Sequence, residues 1–169
     1  MLAELVESLT TTPAVVVNGS WDVIASNVLA RAISPSFTVG TNLASALFDN
    51  ERARRTLPRW GEVSARMVSL LKEAHHDSSP DDTRIDRLRT ELERRSEEFR
   101  RAWSEGVLPD DYALHVPMDH PEVGRLTITY EVMRVPDSDS SLVIGHAEPG
   151  STSEKRLFEL VSKGEPWIT

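Results

Sequence analysis

The sequence predicts an α+β domain in which a five-stranded antiparallel sheet is covered on one face by helices, with further helices flanking it at both termini. Three observations lead to this prediction. Apolar and polar side chains alternate with a period of two near the N-terminus, apolar residues recur at helical spacing through the middle of the chain, and the period of two returns in the last third. The predicted order is therefore two strands, a block of helices and three strands.

Composition limits the classes of function. The 169 residues, 39% hydrophobic and 27% charged, fit one domain spanning residues 1–169. The formal net charge of -8 repels phosphate backbones and anionic membranes, so we expect neither DNA nor a membrane as a direct partner of this chain. The absence of cysteine fits a reducing compartment, and no apolar run resembles a signal peptide or a membrane span. We expect a cytoplasmic protein.

The N-terminal segment predicts a short amphipathic helix followed by a hairpin. The helix ends before Pro13 and carries an apolar stripe with no evident partner, formed by Leu2, Leu5, Val6 and Leu9. Residues 14–17 then predict a buried strand, and Asn18-Gly19 is typical of a two-residue hairpin turn. On the return strand the alternating residues are Trp21, Val23 and Ala25 against Asp22, Ile24 and Ser26.

The middle of the chain predicts helices. Either Ser26 or Asn27 caps a helix that begins at Val28, and apolar clusters at 29–33 and 43–48 indicate two brief helices. A longer helix runs from Trp60 to about His75-His76. The next is predicted to have Ser79 as its cap and Pro80 at its first position, and to continue to Trp103. Between Asp81 and Arg101 it carries seven acidic and seven basic residues, which favours a solvated face with local ion pairs over a nucleic-acid patch.

The last third predicts three strands and a closing helix. The strands are expected at 112–118, 126–135 and 142–147. The middle strand should turn one face to the core and the other to solvent: Leu126, Ile128, Tyr130 and Val132 inside, Thr127, Thr129 and Glu131 outside. Ser151 and Glu154 match a capping box before the apolar face of the final helix, which contains Leu157, Phe158, Leu160 and Val161. This order of elements is that of a PAS-like sheet, which curves around helices that close one face.

Several motifs, in order, resemble those of the MmyB-like ligand-binding domain of transcription regulators. They are "TPAVVVNGSWDVIASN", "LPRWGEVSARMVSLL", "SEEFRRAW", "HPEVGRLTITYEVM" and "AEPGSTSEKRLFEL". The resemblance extends from about Leu5 to Leu160. In that family the domain follows an N-terminal helix-turn-helix of the Xre type, mostly in actinobacteria.

The resemblance implies a PAS-like sensor with a hydrophobic cavity and no cofactor other than a bound lipophilic ligand, since a relative binds a long-chain fatty acid. It also implies that DNA is contacted only through a helix-turn-helix domain, which we expect to lie outside this chain, and we expect a homodimer. One departure concerns the family's "WxRHDV"-like run. Here it appears as Trp103-Ser104-Glu105-Gly106-Val107, without the histidine, so any role of that side chain is lost or moved.

No pattern in the sequence indicates catalysis, so we expect no enzyme, no catalytic residue and no metal ligand. Ser20 and Ser151 each follow a glycine, but no G-x-S-x-G nucleophile elbow occurs. No glycine-rich phosphate loop is present, and the histidines form no zinc pattern; they are His75, His76, His115, His120 and His146. An esterase or a metal-dependent hydrolase is the least favoured alternative.

The candidate ligand-binding residues are the large side chains of the predicted inner layer and one strand histidine. They are Trp21, Phe48, Trp60, Met67, Leu71, Phe99, Trp103, His115, Ile128 and Tyr130. Either His115 or His146 could reach a cavity and pair with a carboxylate head group, although their strands should not be neighbours. The alternative is that these apolar residues simply fill a core, in which case the domain is a dimerisation or scaffold module without a small-molecule ligand.

Overall fold

A computed structural model describes residues 1–105 and 113–163 of the chain. It contains one five-stranded antiparallel sheet with the strand order β2-β1-β5-β4-β3. The strands are β1 (Ala14–Val17), β2 (Val23–Ser26), β3 (Ala113–His120), β4 (Gly124–Arg134) and β5 (Ser141–His146). Tyr112, at the start of the third predicted strand, lies outside the described residues. The two N-terminal strands join the three C-terminal ones through β1 and β5, where Ala14 pairs with Ile144.

Eight α-helices accompany the sheet within those residues. They are α1 (Leu2–Ser8), α2 (Val28–Ile33), α3 (Leu43–Asp49), α4 (Glu51–Thr56), α5 (Trp60–Asp77), α6 (Arg84–Arg95), α7 (Glu97–Ser104) and α8 (Thr152–Lys163), and a short 3₁₀ helix lies at Pro35–Phe37. This arrangement confirms the predicted α+β, PAS-like class. None of the described helices has the length and apolar character that crossing a membrane requires.

The inner face of the sheet carries the core. Val15, Val17, Val23 and Val143 pack there against side chains of α3, α5, α6 and α7. On β4, Leu126 and Ile128 are buried and Thr127 is exposed, as the alternation predicts, whereas residues 129–132 are all half-buried. At the other end of this face, α8 and α2 pack together over β4 through residues such as Leu157 and Leu160.

The outer face is covered in part by α1, so the apolar stripe of this helix has a partner after all. Val6 is fully buried and packs with Ala14, Val16 and Ala25 of the first two strands. Leu2 and Leu9 are partly buried against the same cluster, whereas Leu5 remains 48% exposed. With helices on both sides, β1 is buried along its whole length, which explains its unbroken apolar sequence.

The first hairpin differs from its prediction. The loop between β1 and β2 is five residues long, from Asn18 to Asp22, and the residue with positive φ is Trp21 (φ 66°) rather than a glycine. Asn18 acts through its side chain: its Oδ1 accepts hydrogen bonds from the backbone N–H of Ser20 at 3.0 Å and of Asp22 at 2.9 Å. The prediction of a two-residue turn at Asn18-Gly19 is therefore wrong, because the side chain of Asn18 forms an Asx-type turn instead.

Asn27, and not Ser26, caps α2. Its Oδ1 accepts from Ala30 N at 2.9 Å and from Ala14 N at 3.2 Å. Its amide also donates to Leu9 O at 2.8 Å and to Thr12 O at 2.7 Å. One buried side chain thus ties the start of α2 to the segment between α1 and β1.

The long helix predicted from Ser79 to Trp103 is wrong in two respects. First, residues 79–82 form a turn, and α6 begins only at Arg84, where Asp82 accepts from its backbone N–H at 3.1 Å. Second, the helix is interrupted at Ser96, whose backbone is extended (φ -131°, ψ 117°) and whose Oγ accepts from Phe99 N at 3.1 Å to cap α7. The expected ion pairs are present, for example Arg89 with Glu93 at 2.8 Å.

Candidate ligand-binding site

A cavity of about 410 Å³ lies between the inner face of the sheet and the helical block. Its walls come from β3, β4 and β5 on one side and from the region between the end of α2 and the middle of α5 on the other. Apolar side chains dominate these walls, and the buried ones among them include Trp21, Leu43, Leu47, Val116, Met118 and Val143. Three lining residues are exposed and mark the opening: Pro35, Asn50 and Pro121.

Trp21 is held in the wall by a strained backbone. A φ of 66° is uncommon for a bulky side chain and persists only where neighbouring bonds fix it. The Trp21 carbonyl accepts from Leu43 N at 3.0 Å, and Asn42 Nδ2 donates to Ser20 O at 2.8 Å and to Asp22 Oδ1 at 2.9 Å. Burial alone would raise the pKa of Asp22, but hydrogen bonds from Asn42, Asn18 and Ser20 outweigh it and hold this pKa below its ordinary value.

Tyr130 forms part of the floor of the cavity on β4. Its ring lies 5.9 Å from that of Phe37, centroid to centroid, and its strand partner is Gly145 on β5. A Cβ at Gly145 would lie 3.0 Å from Tyr130 Cε1 and 2.9 Å from Ile128 Cγ2. Only glycine therefore allows the Tyr130 ring to pack this closely against the β5 backbone. Burial raises the pKa of the Tyr130 phenol well above its ordinary value, which keeps the hydroxyl neutral.

His120, at the end of β3, is the histidine that lines the cavity. It is 3% exposed; its Nε2 donates to Ala32 O at 2.8 Å and its Nδ1 accepts from Glu122 N at 3.1 Å. Burial lowers the pKa of His120, in keeping with a neutral ring that donates from one nitrogen and accepts at the other. The ring therefore joins the β3–β4 turn to α2.

Arg66 is the charged residue of α5 that lines the cavity. Its side chain is 12% exposed, and Nη1 is a buried atom without a hydrogen-bond partner in the part of the chain that the structure describes. The nearest carboxylate oxygen, Glu73 Oε1, is 3.7 Å from Nη1, which is an ion pair but too long for a hydrogen bond. The Arg66 side chain thus forms part of the cavity wall, and one nitrogen of its guanidinium is buried without a hydrogen bond among the described residues.

The candidate residues from the sequence fall into three groups. Trp21, Met67 and Tyr130 line the cavity. The aromatic rings of α3, α5 and α7 pack next to it in one cluster, with centroids 5.1 to 5.7 Å apart, and consist of Phe48, Trp60, Phe99 and Trp103. Leu71 and Ile128 are buried in the core, also outside the cavity wall. Direct ligand contact by these six residues, and by the lining three, stays a prediction.

His115 and His146 lie on the opposite face of the sheet from the cavity. Both pair with Thr129 of β4, one from each side, so their strands are indeed not neighbours. His115 Nδ1 lies 2.8 Å from Thr129 Oγ1, and His146 Nε2 lies 3.7 Å from Glu131 Oε1. No group of three or more His, Asp or Glu side chains in residues 1–105 and 113–163 could hold a metal ion.

Sequence reasoning missed Arg66, His120, Phe37 and α4. A signal for Arg66 existed, because it follows Val63 by three residues and precedes Leu70 by four, which places a charge on the apolar face of α5. His120 lies at the end of β3 and is followed by Pro121. This position at a strand end is a sequence feature that distinguishes it from the histidines of the outer face. For α4, with no buried residue, the apolar periodicity is too weak to predict a helix.

An apolar cavity on one face of the sheet, with exposed residues at its opening and a few polar groups on its wall, is the architecture of a small-molecule binding domain. Comparison with protein families agrees: residues 1–161 match the MmyB-like transcription regulator ligand binding domain. The chain therefore belongs to this family. No curated protein matches the chain.

Proposed function

We propose that this chain is the non-enzymatic sensor domain of a cytoplasmic transcription regulator. It forms one PAS-like unit, binds a hydrophobic small molecule such as a fatty acid in the internal cavity, and thereby modulates DNA binding by an attached or partner helix-turn-helix domain. The family supports the regulatory role, and the cavity is the observation that carries the proposal.

The size and lining of the cavity support an apolar guest. Its volume of about 410 Å³ falls within the range of roughly 300–1,000 Å³ that small-molecule sites occupy. Burying about twelve methylenes at ~0.8 kcal/mol each contributes roughly 10 kcal/mol before association and ordering costs. Micromolar affinity requires about 8 kcal/mol, so an acyl chain of this length suits the site only if those costs stay small or polar contacts add to the binding.

The walls suggest how a guest could act on the rest of the molecule. The cavity lies between two structural parts, the sheet and the region from the end of α2 to the middle of α5, and His120 at the end of β3 is hydrogen-bonded to Ala32 of α2. A ligand that contacts both parts stabilises the arrangement in which they are correctly spaced. Only such a difference in affinity between arrangements can shift how the domain associates with a second copy or with a DNA-binding module.

The test is to look for a guest and for its effect. Native mass spectrometry and lipid extraction of the purified protein are expected to detect a small amphiphile, and a series of fatty acids from short to long should raise the melting temperature up to the length that fills the cavity. A protein that is empty in both measurements, and whose melting temperature is unchanged across the whole series, would contradict the proposal.

A dimerisation module is the second candidate, favoured by the exposed Leu5 beside the buried Val6 on α1. The cavity counts against a dimerisation module whose interior is completely filled by its own side chains. Sensing and self-association are compatible, and we expect a homodimer.

A further inference from the structure

The geometry points to Arg66 as the binding site for an anionic group, so that the ligand is an amphiphile with one negatively charged end buried against α5. This inference rests on the proposed function, because it names the chemical class of the guest in the same cavity. It adds a charge requirement that an apolar cavity alone would not impose.

The first support is the state of the guanidinium. A buried polar group without a hydrogen bond is costly, and few occur in a native structure without a function. Nη1 of Arg66 is such a group among the described residues, and it belongs to a side chain that lines the cavity. Glu73, 46% exposed and 3.7 Å away, neutralises the charge in part but leaves the N–H without an acceptor.

The second support is the balance of charge on the cavity wall. The ionisable residues there, apart from Tyr130, are Arg52, Arg66, Asp119 and His120. Asp119 is paired in a bidentate manner with Arg125, at 2.7 Å and 2.9 Å, and this pairing lowers the pKa of its carboxyl. His120 already uses both ring nitrogens within the protein. Among the described residues, Arg66 is therefore the charged residue of this wall that keeps a buried nitrogen without a hydrogen bond.

The third support is the chemistry of recognition. Arginine presents paired N–H donors that match the two oxygens of a carboxylate or the oxygens of a phosphate or sulfonate, and such bonds strengthen when water is excluded. The protein as a whole is negative, with a formal net charge of -8, so its long-range field does not favour anions. A preference for an anionic guest would have to arise locally, at Arg66.

The experiment compares dodecanoic acid with dodecanol, which share a chain length and differ in charge, by isothermal titration calorimetry below their aggregation limits. Wild-type protein is expected to bind the acid more tightly. Arg66→Met keeps the apolar stem and removes the charge, and should weaken acid binding about 10- to 100-fold while leaving alcohol binding nearly unchanged. The matched control is Arg55→Met, since Arg55 is an exposed arginine on α4 outside the cavity wall.

A second variant guards against misfolding of the first. Glu73→Gln removes an exposed carboxylate that competes for Arg66, so it should tighten binding of the acid several-fold and leave the alcohol unaffected. Binding of neither probe by wild-type protein contradicts the lipid form of the proposed function itself. Equal binding of acid and alcohol overturns the Arg66 inference alone. The Arg66 inference is also overturned if the preference for acid persists in Arg66→Met or is abolished only by Arg52→Met. A preference that is unaltered in Glu73→Gln overturns it as well.

Discussion

At the scale of single residues, close packing decides how much of the cavity remains open. Gly145 has no side chain, and the ring of Tyr130 occupies the space that a Cβ would need. Strand propensity gives no reason for a glycine at the last position but one of β5. The reason lies in the aromatic ring on the neighbouring strand, which a sequence without coordinates does not reveal.

We expect Gly145→Ala to lower the free energy of unfolding by about 1–3 kcal/mol, because the new methyl group clashes with Ile128, Pro13 and Tyr130. We also expect it to weaken ligand binding by pushing the Tyr130 ring into the cavity. Chemical denaturation and titration with a fatty acid measure the two effects.

Gly61→Ala is the matched control for this substitution. Gly61 lies in α5 with open space around its Cα, so alanine should stabilise the protein by about 0.5 kcal/mol through helix propensity. If Gly145→Ala behaved like Gly61→Ala, the account of a ring resting on this glycine would be wrong.

At the scale of elements, local patterns predicted most helices and strands but not their ends. Asn27 was one of two possible caps, and only tertiary contacts with Leu9 and Thr12 decide between them. The break at Ser96 was missed because apolar residues continue at helical spacing on both sides of it. A serine that caps a second helix looks the same in sequence as a serine inside one.

The helix α1 has two apolar residues with different roles. Val6→Ala should lower the free energy of unfolding by about 2 kcal/mol, because it leaves a cavity over the outer face of β1. Leu5→Glu should leave stability within about 0.5 kcal/mol, since the residue is exposed, but should weaken self-association.

Light scattering at several protein concentrations, together with denaturation, separates these effects. Single-residue variants are preferable to deletion of α1, which would also expose Val16 and Ala25. A dimer that persists unchanged in Leu5→Glu would exclude this part of α1 from the interface.

At the scale of the whole molecule, the order of elements and the overall class followed from periodicity, whereas the cavity did not. Three of the ten candidate residues line it, because apolar character places a side chain inside but does not say whether it meets a neighbour or an open space. The sequence carries a signal for Arg66 on the apolar face of α5, but only folding brings the polar residues of α2, α5 and β3 into one wall.

Stability of the whole molecule should depend on pH through His120. Burial holds the pKa of His120 below its ordinary value of 6.5, so the unfolded chain takes up a proton first as the pH falls. The stability that the neutral His120 contributes is fully present above pH 6.5. It is lost as the pH drops toward the lower pKa of His120 in the folded state. Protonation also removes the Nδ1 lone pair that accepts from Glu122 N.

We therefore expect the melting temperature to decrease between pH 7 and pH 5, and His120→Gln to flatten this slope while lowering stability at pH 7. His115→Gln, which replaces an exposed imidazole on the outer face, serves as the control and should retain the slope. A slope that is the same in all three proteins would show that another group governs the dependence.

The pairing of β1 with β5 joins strands from opposite ends of the chain. Strand β1 therefore cannot acquire its second neighbour, β5, until residues 141–146 have left the ribosome. High contact order of this kind slows folding, and it leaves the early hairpin with an unprotected edge while the helices are already forming. Chaperone dependence during synthesis is the expected biological counterpart of this topology.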